Sequence, residues 1–133
     1  MKPTMPDYFL ALMKQYGNLR SAEEASRVAQ VISDALESTL DDKTAKQLFE
    51  VMPRYLRPQG QKFYSRLFDW QPKYQHSTLV SRVELSLNLT DVSEVTTYLS
   101  AYFSSVKTLL DQSDQLKLSS LLPNDLARVY LKA

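Results

Sequence analysis

The 133-residue chain has no cysteine, which removes disulfides, thiolate metal sites and cysteine nucleophiles from consideration. Glycine is nearly missing: only Gly17 and Gly60 occur, neither with the neighbours that would mark a tight β-hairpin turn, and a sheet-rich fold needs more turns of that kind. One histidine, His76, stands beside Ser77 and Thr78. A general base or a zinc site needs partners, so His76 reads as a loop or helix-boundary residue. No His-Glu-x-x-His, nucleophile elbow, phosphate-binding glycine loop or dinucleotide fingerprint is present. The expectation is therefore no enzyme, no cofactor and no metal. Neither sign of charge dominates, since 16 basic against 15 acidic side chains leave a net charge of +1, which argues against a dedicated nucleic-acid binder. No run approaches the roughly 18 apolar residues of a membrane span, and no apolar stretch follows Met1-Lys2-Pro3 as a signal peptide requires. A cytoplasmic protein without membrane attachment is expected.

What is present is a repeat. Shifted by 70 positions, residues 8–56 lie without a gap on residues 78–126. The identities pair Asn18-Leu19 with Asn88-Leu89, Glu24 with Glu94, Leu40-Asp41 with Leu110-Asp111, Leu48 with Leu118, Pro53 with Pro123 and Leu56 with Leu126. They fall at apolar and helix-boundary positions, so they constrain architecture rather than chemistry. With 44% hydrophobic residues the chain can bury one good core, whereas two separate domains would each be near the lower size limit.

Tyr8, Phe9, Leu12, Met13 and Tyr16 have helical spacing, predicting a helix over about 6–16 that Gly17-Asn18 stops. Ser21 and Glu24 form a capping box, opening a second helix with an apolar stripe of Ala25, Val28, Ile32, Ala35, Leu36 and Leu40. Asp41 and Asp42 cap a third, through Ala45, Leu48, Phe49 and Met52 to Pro53. The second copy repeats this with Leu79, Val80 and Val83; with Asp91, Glu94, Val95, Tyr98, Tyr102, Val106 and Leu110; and with Asp111, Asp114, Leu118, Leu121 and Leu122 to Pro123. A short helix over 124–131 can follow. Residues 83–89 alternate like a strand, but with no partner strand in view a helix followed by a loop is expected there.

These residues resemble a family. Phe9-Leu10 before the Gly17-Asn18 break, Ala22-Glu23-Glu24-Ala25-Ser26-Arg27-Val28, then Leu36, Leu40, Leu48 and Met52-Pro53-Arg54-Tyr55-Leu56, are similar to the bacterial domain of unknown function 2267. Leu121-Leu122-Pro123-Asn124-Asp125-Leu126 fits the Leu-Pro ending of that family's repeats, where the first copy has Met52. Phe63-Tyr64 through Trp70-Gln71-Pro72 is similar to the aromatic stretch that often follows its first repeat. The resemblance implies an all-helical tandem repeat and no reaction.

The fold expected is all-α: six or seven helices in one domain, residues 1–133, built from two pseudo-two-fold-related three-helix repeats packed face to face. Repeat one spans about 7–57, an aromatic linker helix about 58–76 and repeat two about 77–131; two copies closing on each other are more stable than an open two-repeat solenoid. The acids at 41–42, 111 and 114 suit helix capping better than Mg²⁺ or Ca²⁺, and Glu24 and Glu94 lack the Glu-x-x-His partners of di-iron bundles. Tyr98, Tyr102 and Tyr130 stand where copy one has Val28, Ile32 and Gly60, and read as core filling or the edge of a small-molecule pocket.

The non-structural candidates are in one segment. Arg54, Arg57, Lys62, Arg66 and Lys73 are interleaved with Tyr55, Phe63, Tyr64, Phe68, Trp70 and Tyr74. That composition suits a clamp between the repeats with cationic heads in water, and any exposed rings would mark a protein-binding or self-association patch. A non-catalytic interaction module, self-associating or docking a protein, is the expectation. The alternatives are nucleic-acid binding through residues 54–73, by base stacking and phosphate neutralisation, and a small-ligand sensor with a pocket between repeats.

Overall fold

Among the described residues four helices open on a side-chain cap, and the four caps occupy repeat-equivalent positions. In the computed structural model, which describes residues 5–56 and 75–133, Ser21 Oγ accepts from the Glu24 N–H at 3.1 Å and the Asp41 carboxylate from the Thr44 N–H at 3.1 Å. Asp91 accepts from the Ser93 N–H at 2.9 Å and Asp111 from the Asp114 N–H at 2.8 Å. Each removes an orphan donor of a first helical turn. The Glu24 carboxylate reaches back to the Arg20 N–H at 3.3 Å, one residue earlier than a capping box places it.

The helices that follow are α1 (Met5–Gly17), α2 (Ala22–Thr39), α3 (Asp42–Val51), then after a 3₁₀ turn (Arg54–Leu56), α4 (His76–Leu87), α5 (Val92–Leu109), α6 (Gln112–Leu121) and α7 (Asn124–Lys132). The described residues contain no strand. Both α2 and α3 recur as α5 and α6 with bounds displaced by the repeat length. The first helix of each copy ends in the same way: Asn18 and Asn88 take left-handed φ of 53° and 59°. The next N–H then bonds back into the helix, Leu19 to the Lys14 carbonyl and Leu89 to the Glu84 carbonyl, both at 2.9 Å. That is a Schellman-type ending in which asparagine supplies the positive φ, so Gly17 is the last helical residue and not the stop.

The copies do not merely meet face to face; they interlock. Helix α1 lies chiefly along α5, the long helix of the other copy, and α4 lies along α2. Helices α3 and α6 pack together, as do α2 and α5. This pattern is unchanged when the copies are exchanged, as a pseudo-two-fold axis requires. One continuous core results, with Met13, Ile32, Leu36, Leu48, Leu79, Leu99, Leu118 and Leu126 fully buried. Burying each such side chain contributes about 1.5–3 kcal/mol.

An aromatic row crosses this core. Phe9 lies 5.9 Å from Tyr55 and 6.1 Å from Tyr102, Tyr102 is 5.5 Å from Phe103, and Phe103 is 5.7 Å from Tyr130, the last three pairs edge to face. Tyr102 and Tyr130 are core residues and Tyr98 is half-buried. The alternating segment is helical to Leu87. The linker expected over 58–76 lies outside the described residues except for Gln75 and for His76, which opens α4.

Candidate functional site

The two interlocking contacts are equivalent by topology and unequal in fit. Where α1 meets α5, a Cβ on Gly17 would stand 3.5 Å from the Ala101 Cβ, so two small residues let the helices approach closely. The repeat-equivalent residues on the other side are Leu87 and Val31. Both are bulkier, and the contact between α2 and α4 is less extensive than that between α1 and α5. The space left is a groove of about 270 Å³ between α2 and α4.

Its surface is apolar in the middle and polar at the edges. Val31 and Ala35 from α2 and Leu85 from α4 line it, and Leu85 is 81% exposed. The helical form of residues 83–87 explains that exposure. Residues two apart in a helix point to nearly opposite sides, so turning Val83 into the core turns Leu85 outward.

Hydrogen bonds make the polar edge. Arg82 donates from Nη1 to Ser38 Oγ at 2.6 Å and to Thr39 Oγ1 at 3.4 Å. Ser38 and Thr39 in turn donate to the Ala35 carbonyl at 3.1 and 2.6 Å. Asp34 accepts from Gln30 Nε2 at 3.1 Å, and Arg27 Nη2 donates to the Ser86 carbonyl at 3.4 Å, tying α2 to α4. The groove thus offers an apolar floor, a protruding leucine, one acid and one base. Such a surface can seat an apolar side chain between polar edges.

Of the residues proposed from sequence, Arg54 is in the 3₁₀ turn and exposed. Arg57, Lys62, Phe63, Tyr64, Arg66, Phe68 and Trp70 lie outside the described residues. No group of three or more potential metal ligands occurs among the described residues, and no described helix is long and apolar enough to cross a membrane. Of the carboxylates considered as ligands, Asp41 and Asp111 act as caps, and the Thr44 hydrogen bond holds the Asp41 carboxyl below its usual value. The groove residues Val31, Asp34, Arg82 and Leu85 escaped the sequence reading. The signal was there, in the repeat-equivalent pairs Gly17/Leu87 and Ala101/Val31. Against known proteins, no family model, curated protein or solved structure matches this chain.

Proposed function

We propose that this chain is a non-catalytic helical interaction module that associates with a second copy of itself through the α2/α4 groove. The observation that carries this is Leu85, exposed beside a groove of about 270 Å³ whose floor, Val31 and Ala35, is apolar. A two-fold contact uses the same patch twice, so the patch must complement itself. Here a knob and a hole lie side by side, and so do a carboxylate, Asp34, and a guanidinium, Arg82. Leu85 of each copy would sit over Val31 and Ala35 of the other. A net charge of +1 opposes the approach of two copies only weakly.

Membership of the domain of unknown function 2267 family belongs to the same proposal, supported by the Met52-Pro53 and Leu122-Pro123 endings that close α3 and α6. So does residence in the bacterial cytoplasm, which rests on that resemblance. Sedimentation equilibrium tests self-association. The wild type is expected to dimerise with a Kd on the order of 10–100 μM, and Leu85→Lys to weaken this at least about tenfold while keeping its helical circular dichroism, since the residue touches little of its own core. A wild type that stays monomeric to about 1 mM, or a Leu85→Lys variant that dimerises equally well, overturns the proposal.

A further inference from the structure

The symmetry of the two copies breaks a second time, inside copy one. The pocket there, about 240 Å³, is bounded by α1, α2 and the 3₁₀ turn. Its back wall is Ala29 and Ser33 of α2, with Phe9 of α1 beside them and Tyr55 of the turn across from α2. Copy two has Leu99 for Ala29 and Phe103 for Ser33, both with no exposed surface. Copy one therefore has about eight side-chain heavy atoms fewer at these two positions, in a fold whose interior is otherwise close-packed. At these two positions the pocket wall is cut back relative to the other copy.

Two features say what fits it. Among the described residues no carboxylate, ammonium or guanidinium lines the pocket; their polar side chains there are Ser26, Gln30, Ser33 and Tyr55. A charged ligand would lose its hydration with no counter-charge in return. The second feature is the Tyr55 hydroxyl, which is shielded from water and has no hydrogen-bond partner among the described residues. Leaving a phenol shielded and unpaired costs free energy that a ligand's oxygen or nitrogen can return. The Ser33 hydroxyl is already shared with Tyr102 at 2.9 Å, and the Gln30 amide nitrogen donates to Asp34.

We propose that this pocket binds a small neutral ring compound bearing one hydrogen-bonding group, its ring packed against Phe9 and Ala29 and its polar group paired with the Tyr55 hydroxyl. A cavity of about 150 Å³ holds benzene, so this one holds a ring with one or two substituents. The pocket and the α2/α4 groove use different faces of α2: residues 26, 29, 30 and 33 form one stripe, and 31, 34, 35 and 38 another. Leu85 lies on the groove side alone, so its substitution separates binding here from self-association.

The probes are p-cresol and indole, with benzoate and benzylamine as charged compounds of similar size, followed by thermal shift and by titration calorimetry. The wild type is expected to bind both neutral probes saturably, with Kd on the order of 1 mM or better, and the charged ones at least about tenfold more weakly. Ala29→Leu, which copies position 99, should fold with an undiminished Tm and lose binding. Tyr55→Phe should weaken p-cresol about three- to tenfold while leaving the unliganded Tm unchanged or higher. A purely structural hydroxyl gives the opposite sign, a lower Tm with unchanged binding. Leu85→Lys should bind as the wild type. Absence of saturable binding to the wild type, equal binding of the charged probes, or wild-type affinity in Tyr55→Phe overturns the inference; should Ala29→Leu fail to fold, Tyr55→Phe decides it.

Discussion

Tyr102 and Ser33 share a buried hydrogen bond at positions whose repeat mates, Ile32 and Phe103, are both apolar and buried. The added hydroxyl of Tyr102 could not enter the core alone, because an unpaired buried hydroxyl costs about 1–3 kcal/mol. Ser33, small where Phe103 is large, supplies both the room and the partner. Ser33→Ala and Tyr102→Phe should each lower the unfolding free energy by about 1–3 kcal/mol, and the double variant by less than the sum, as read from urea titrations. A strictly additive double variant would show that the bond carries no coupling. The buried tyrosines also set an alkaline limit. Burial raises the phenol pKa of Tyr55, Tyr98, Tyr102 and Tyr130 above 10.0, with Glu24 and Glu94 adding to the rise at Tyr98. Above that pH the unfolded chain loses phenolic protons that the folded chain keeps, so stability falls as pH rises. The urea midpoint should drop as pH rises above about 10, and less steeply in Tyr102→Phe.

At the scale of single helices the chain was largely legible. Caps at Ser21, Asp41, Asp91 and Asp111 were read from residue type and spacing, and each makes its bond. Such signals are local: they need only the next turn of the same helix. Asp41→Ala and Asp111→Ala should each cost about 0.5–2 kcal/mol by denaturant titration, and asparagine at either position much less. Because its hydrogen bond to Thr44 lowers the Asp41 pKa below 3.8, the stability this carboxylate adds is present above that pH and lost as pH falls through the lowered value. Asp41→Asn should accordingly flatten the acid limb of the stability profile, though only slightly for so exposed a group. The Gly17-Asn18 stop was legible, with Asn18 supplying the left-handed turn, but the packing role of Gly17 was not, because it is set by a neighbour outside its helix. Its open side faces Leu19 and Ala101, and Gly17→Leu, which copies position 87, should destabilise by about 1–3 kcal/mol through overpacking, read as a lower Tm.

The candidate site was the least legible part, for a reason that belongs to the whole molecule. Residues 54–73 attracted notice by composition alone, whereas the α2/α4 groove depends on which helices meet. Nothing in the pattern of α1 or α4 states that each crosses to the long helix of the other copy. Once that interlock is known, the repeat becomes informative about function as well as fold: its two crossings differ at Gly17/Leu87 and Ala101/Val31, and the looser crossing bears Leu85. The absence of cysteine allows a direct test of the docking proposed there. Copies carrying Leu85→Cys are mixed with copies carrying Val31→Cys under mild oxidation, and the rate of mixed disulfide formation is followed by gel. Docking through the groove predicts a mixed dimer forming at least about tenfold faster than between Leu85→Cys and the exposed control Lys46→Cys. Equal rates for the two mixtures would contradict it.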